Sequence, residues 1–81
     1  MITNWRYDAG GSFLEQQVRP AWYGVCRTYS GAELSDWFKH QEAIEDVDYE
    51  LTFRFNSGSP AYFITVYKEE LATAFALRWL Q

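Results

Sequence analysis

The stretch Asp48-Tyr49-Glu50-Leu51-Thr52-Phe53-Arg54-Phe55-Asn56-Ser57-Gly58-Ser59-Pro60-Ala61-Tyr62-Phe63-Ile64-Thr65-Val66-Tyr67 reads as a β-hairpin. From Tyr49 to Phe55 the apolar Tyr49, Leu51, Phe53 and Phe55 alternate with Glu50, Thr52 and Arg54, the period of a half-buried strand. Asn56-Ser57-Gly58-Ser59-Pro60 turns the chain, because Asn and Gly tolerate positive φ and Pro fixes its own. Ala61–Tyr67 follows as a second strand, apolar on both faces and so suited to a central position. The charged alternation of Asp48–Phe55 suits an edge.

Downstream, Tyr67–Leu80 carries Leu71, Phe75 and Trp79 in one i, i+4 row and Ala72, Ala76 and Leu80 in another. Glu69 and Glu70 start it and Arg78 ends it, matching the helix dipole, so a helix is predicted. Upstream, Leu34, Trp37, Phe38 and Gln41 keep helical spacing behind the capping-box match Ser30-Gly31-Ala32-Glu33, which predicts a helix from about Ala32 to Gln41 or Ala43. Ala21–Tyr29 is rich in strand formers, with Gly24 marking a bulge or a close contact. Before it, Ser12-Phe13-Leu14-Glu15 matches a capping box and predicts one or two helical turns that Pro20 would stop. Ile2–Tyr7 reads as an edge strand or wrapping arm, with Trp5 and Tyr7 on one side.

These elements give a single α+β domain: an arm or edge strand over residues 1–20, then a βαββα core over 21–81. A right-handed crossover sets Ala21–Tyr29 and Asp48–Phe55 parallel, with Ala61–Tyr67 between them and antiparallel to both. The expectation is a small antiparallel or mixed sheet of three to four strands with two helices on one face. It resembles part of a ferredoxin-like split βαβ unit, with Ile2–Tyr7 in the vacant place beside Ala21–Tyr29. Tyr49, Leu51, Phe53 and Phe55, with Tyr62, Ile64 and Val66, are expected to face the helices. Phe63 and Tyr67 then lie on the open face beside Thr52 and Arg54.

The 81 residues hold 4 Trp, 6 Tyr and 6 Phe, and one Cys, so rings rather than disulfides must supply the core, or a partner must bury some of them. Eleven acids against seven bases, a net charge of −4, argue against a nucleic-acid backbone as the main partner. No apolar run reaches the ~20 residues that span a bilayer. The N-terminus lacks a signal-peptide pattern and Cys26 is the only thiol, so a cytoplasmic location is expected.

No catalytic, cofactor-binding or metal-ligating set stands out. His40 and Cys26 are singletons, read as a surface histidine near a helix C-terminus and a packed thiol rather than as a nucleophilic pair. Glu42, Glu45, Asp46, Asp48 and Glu50 crowd five carboxylates into nine residues; if extended, Asp46, Asp48 and Glu50 share a face that suits a basic partner. The stretch lacks the glycine and spacing of a calcium loop. The expected partner-binding residues are therefore Glu42, Glu45, Asp46, Asp48 and Glu50, with Arg54, Phe63 and Tyr67 on the open face.

The ending Glu69-Glu70-Leu71-Ala72-Thr73-Ala74-Phe75-Ala76-Leu77-Arg78-Trp79 resembles the closing helix of small, mostly uncharacterised tailed-bacteriophage proteins. That resemblance implies a virus-encoded protein in the bacterial cytoplasm and assigns no residue a role. The expectation is a non-enzymatic module that binds a host protein, as phage inhibitors such as anti-CRISPR proteins do. A single-stranded nucleic-acid module and a homo-oligomeric assembly protein are the alternatives; the open-face rings suit base stacking, but the Lys/Arg-Gly-Phe/Tyr signature of RNA-recognition domains is missing.

Overall fold

The computed structural model describes residues 2–13, 16–27, 31–56 and 58–80. The alternating hairpin forms as β5 (Tyr49–Asn56) and β6 (Ser59–Val66), paired without a register shift from Tyr49↔Val66 to Asn56↔Ser59. Gly58 takes the left-handed conformation, φ +77°, that the two-residue connection requires; Ser57 lies outside the described residues. Pro60 sits beyond the end of the neighbouring strand, which pairs only as far as Tyr62, so its missing N–H breaks no ladder bond.

β1 (Ile2–Asp8) and β4 (Ala21–Cys26) complete an all-antiparallel sheet of order β1-β4-β6-β5. Thr28, Tyr29 and Ser30, the expected end of β4 and the start of the capping box, lie outside the described residues. Helices α1 (Gly31–His40) and α2 (Glu69–Trp79) both pack on one side of the sheet. Register puts Trp22, Gly24 and Cys26 of β4, Tyr62, Ile64 and Val66 of β6, and Tyr49 and Leu51 of β5 on that side. The aliphatic set of β6 faces inward as expected, with Ile64 and Val66 fully buried.

The expected helical turns after Ser12 do not form. Gly11–Phe13 (β2) and Gln16–Val18 (β3) pair instead as a separate two-stranded ribbon, with Leu14 and Glu15 outside the described residues. A capping box contributes only about 1 kcal/mol, and a helix of two turns between Gly10-Gly11 and Pro20 cannot offset its nucleation cost.

Four rings link the layers in one continuous stack. Tyr49 of β5 lies on Phe38 of α1 with centroids 3.9 Å apart, Phe38 on Phe75 of α2 at 5.6 Å, and Phe75 on Trp5 of β1 at 5.0 Å. Trp5 reaches the stack because Asn4, at φ +57°, is an extra residue in β1 that shifts the register against β4. Trp5 and Tyr7 share a side, as alternation predicts, but the bulge puts Ile2 with them rather than Thr3. The Trp5 ring then lies on Gly24, where an added Cβ would come within 2.8 Å of it, so Gly24 marks both the close contact and the strand position opposite the β1 bulge.

Phe53 and Phe55 occupy the predicted face but lie past the helices. They remain 49% and 68% exposed, touching each other and the Tyr62 ring. The helix layer stops over Tyr62, which packs against the first residue of α1, Gly31. Replacing Phe75 by Ala, which empties the centre of the stack, is expected to cost ~3–5 kcal/mol and leave the chain largely unfolded. Phe53→Ala is expected to cost ~1 kcal/mol or less, since half the ring is already in water. Urea unfolding of the two variants checks the assignment, and equal losses would sink it.

Candidate interaction face on the open side of the sheet

The two helices leave the other side of the sheet uncovered by either of them, and register decides which side chains it presents. Tyr23 of β4 stands opposite Thr65 of β6, and Phe63 stands opposite Thr52 of β5. Phe63 and Tyr67 flank Thr65 along the chain, about 7 Å away on either side. Three rings therefore surround Thr65 on and beside the two central strands.

Each ring carries a guanidinium. Arg6, directly opposite Tyr23 in the β1–β4 register, lies 5.4 Å from its ring centroid; Arg54 lies 5.8 Å from that of Phe63; Arg19 lies 4.0 Å from that of Tyr67. Such contacts contribute roughly 0.5–1 kcal/mol each at exposed sites, and they hold three cations flat against the face. Tyr67 is the most engaged ring: its hydroxyl donates to Glu50 Oε2 at 2.7 Å and its N–H donates to the Asp48 carbonyl at 2.8 Å. Burial, followed by the hydrogen bond to Glu50, pushes the Tyr67 phenol up to about 12. Phe63, 38% exposed, stands between Val25 and Thr52 with the Arg54 guanidinium near its ring.

Cations outnumber carboxylates on the open face, and carboxylates outnumber the cations Lys39 and Arg78 on the helices. Arg6, Arg19 and Arg54 share the open face with Glu50, and Asp8 stands at its corner, where Oδ1 accepts the Gly10 N–H at 2.9 Å. Glu33, Asp36, Glu69 and Glu70 belong to the helices, and Glu42, Glu45 and Asp46 to the α1–β5 connection.

The five carboxylates from Glu42 to Glu50 do not form the single face expected of an extended segment. The chain turns through residues 46–48 before β5 starts at Tyr49. Asp46 has φ +68° and its N–H donates to the Tyr49 carbonyl at 2.8 Å; Glu42, at φ +58°, ends the α1 turn. Asp48 is turned inward, only 5% exposed, with Oδ2 accepting the Ile44 N–H at 2.9 Å and Oδ1 facing Lys68 Nζ at 3.2 Å. Glu50 lies on the open face. Of the five carboxylates, Glu42, Glu45 and Asp46 remain solvent-exposed in the connection, whereas Asp48 is a structural staple of this loop.

A cavity of about 220 Å³ opens beside the Asp48–Lys68 pair, bounded by Gln41, Glu42, Glu70 and Leu71. It is smaller than the ~300–1,000 Å³ of typical ligand sites. Among the described residues no three His, Cys, Asp or Glu side chains converge on a metal position, and no helix is long and apolar enough to cross a membrane. Cys26 is buried at the end of β4, whereas His40 is exposed in the last turn of α1 with Nδ1 2.8 Å from the Asp36 carbonyl.

Arg54, Phe63 and Tyr67 were legible as open-face residues. Tyr23, Arg6 and Arg19 were not, because the β4 register and the Asn4 bulge that set their side are tertiary features. Comparison with protein-family models, with characterised proteins and with solved structures gave no match to this chain.

The Ile44 N–H, with Lys68 beyond it, holds the Asp48 carboxyl below its ordinary value against the opposing effect of burial. A carboxylate with a lowered folded-state pKa stabilises the fold fully above its unfolded value, about 3.9, and that contribution disappears as pH falls through the folded value. Asp48→Asn is therefore expected to be less stable than the parent at pH 7, with the difference shrinking below about pH 4. Urea unfolding from neutral to acid pH checks this; a gap independent of pH would refute it.

Proposed function

We propose that this chain is a non-enzymatic interaction module that docks an anionic macromolecular surface on its open sheet face. The observation that carries the reading is the set of three ring–guanidinium pairs, Arg6–Tyr23, Arg54–Phe63 and Arg19–Tyr67, on a sheet side that neither helix covers. Aromatic rings and arginines are the residue types that dominate binding energy at protein interfaces, and Phe63 is the most open ring of the three. The favoured partner is the acidic surface of another protein. With the phage-like ending of α2, its specific form is a virus-encoded inhibitor or accessory factor acting on a host protein in the cytoplasm, as anti-CRISPR proteins do. On this reading β4-α1-β5-β6-α2 is a shortened ferredoxin-like unit with β1 in the place of the missing last strand.

Single-stranded nucleic acid is the second reading, favoured by rings on adjacent central strands with cations at their margins, the arrangement of a base-stacking platform. Phe63→Ser separates binding from folding better than a change at Tyr67, whose hydroxyl and N–H are both engaged. The variant is expected to melt within a few degrees of the parent and to lose partner affinity. A partner recovered from bacterial lysate by the parent and equally by Phe63→Ser would exclude this face. Fluorescence anisotropy with a labelled single-stranded RNA distinguishes the two readings. Binding that depends on Phe63 and weakens steeply with salt favours nucleic acid, and no binding at low salt leaves the protein partner.

A further inference from the structure

We propose that two copies of this chain pair through their β5 edges about a two-fold axis at Thr52, joining their sheets into one of eight strands. This goes beyond the open-face reading and does not depend on it. β1 is protected by the Asn4 bulge, which breaks its register. β5 runs eight residues without a bulge and contains no Pro or Lys, and the charges it does carry, Glu50 and Arg54, are of opposite sign and so deter pairing in some registers but not in all. It also exposes Phe53 and Phe55.

Backbone direction restricts the register. The Tyr67 N–H donates to the Asp48 carbonyl on the β6 side, whereas the Tyr49 carbonyl accepts the Asp46 N–H on the opposite side. Alternation then turns the N–H and C=O groups of Leu51, Phe53 and Phe55 outward and those of Glu50, Thr52 and Arg54 toward β6. An antiparallel two-fold pairing must match outward residues with outward residues, so its centre falls on a residue and not between two.

Only the centre at Thr52 pairs the charges. There Glu50 of each copy faces Arg54 of the other, on the open face and in the close, non-hydrogen-bonded type of pair. On the helix side Leu51 faces Phe53, and these two residues exchange both backbone hydrogen bonds in each direction. Tyr67 holds Glu50 through Oε2, leaving Oε1 for the second copy's Arg54. The Glu45–Tyr49 bridge occupies the start of the edge and limits the ladder to Glu50–Arg54. Inversion of the strand then carries Phe55 of one copy to the end where the other exposes Ile44 and Val47, 60% and 53% accessible.

Sedimentation velocity of the full chain over about 1–100 µM is expected to show a species of twice 9.5 kDa. Arg54→Glu replaces two attractive pairs by two repulsive ones and should weaken association roughly tenfold or more. Glu50→Arg combined with Arg54→Glu should restore it. Thr52→Cys, at the axis, should give a disulfide-linked dimer under mild oxidation, because facing Cβ atoms in such a pair lie within disulfide reach after small adjustments. A parent that stays monomeric throughout the range overturns the proposal. So does an Arg54→Glu variant that associates like the parent, or a folded charge-swap variant that stays monomeric. Crosslinking through Phe53→Cys in place of Thr52→Cys would overturn the register.

Discussion

The stack Tyr49–Phe38–Phe75–Trp5 is the contact on which the rest of this structure depends. It runs from one edge strand to the other through both helices, so each element of the two layers except the β2–β3 ribbon meets it directly or through a neighbour. In a domain of 81 residues with a single cysteine, no disulfide is available to restrict the unfolded chain. Ring pairs of this type contribute about 0.5–1.5 kcal/mol beyond their area burial, and three in series approach half the stability of a small domain. The stack also explains two features that look unfavourable locally. Asn4 adopts a left-handed conformation and a glycine, Gly24, occupies the middle of a strand, and both are needed to lay Trp5 over β4.

Placing the ring stack and both helices on one side of the sheet determines what remains on the other, where the small side chains of Ala21, Val25 and Ala61 are buried among the larger ones. The net charge of −4 is a poor guide to what a partner meets there. The molecule is 21 Å across its thinnest dimension, and charge interactions in physiological salt decay over about 8 Å. A surface approaching the open face feels Arg6, Arg19 and Arg54 with Glu50 and Asp8, while the carboxylates of the helix layer are largely screened. Local segregation, not the total, decides the sign of the interaction.

Much of the fold is legible in the sequence because the hairpin is strongly patterned. The alternation in β5, the two-sided apolar run in β6 and the i, i+4 rows of α2 each predict an element that forms, and the inward set Tyr62, Ile64 and Val66 follows from side-chain chemistry alone. Three features are not legible, for different reasons. The capping box at Ser12 is a local signal too weak to nucleate a helix between Gly11 and Pro20. The exposure of Phe53 and Phe55 depends on where α1 begins over the sheet, which alternation within β5 cannot encode. Asp48 reads as one more member of an acidic run, yet its contacts with Ile44 and Lys68 require the chain to fold back on itself there. Of the eight residues expected to bind a partner, Arg54, Phe63 and Tyr67 share a face, Glu50 joins them as the acceptor of Tyr67, and Asp48 is withdrawn into the loop.

Tyr67 shows how the two halves of the chain meet on this face. Its N–H closes the β5–β6 ladder at Asp48, its hydroxyl holds Glu50, and its ring lies under Arg19, the residue through which the ribbon of residues 11–18 returns to β4. The 4.0 Å approach of that guanidinium is the closest of the three ring contacts there, so Arg19 ties the exit of the ribbon to the sheet. A partner reaching Tyr67 must share it with Arg19 or displace it, whereas Phe63 meets a partner with no such competition beyond the more distant Arg54. The face therefore has a braced end and an open end. The open end lies beside the β5 edge, where Arg54 is near both the ring it covers and the strand edge along which a second copy would pair.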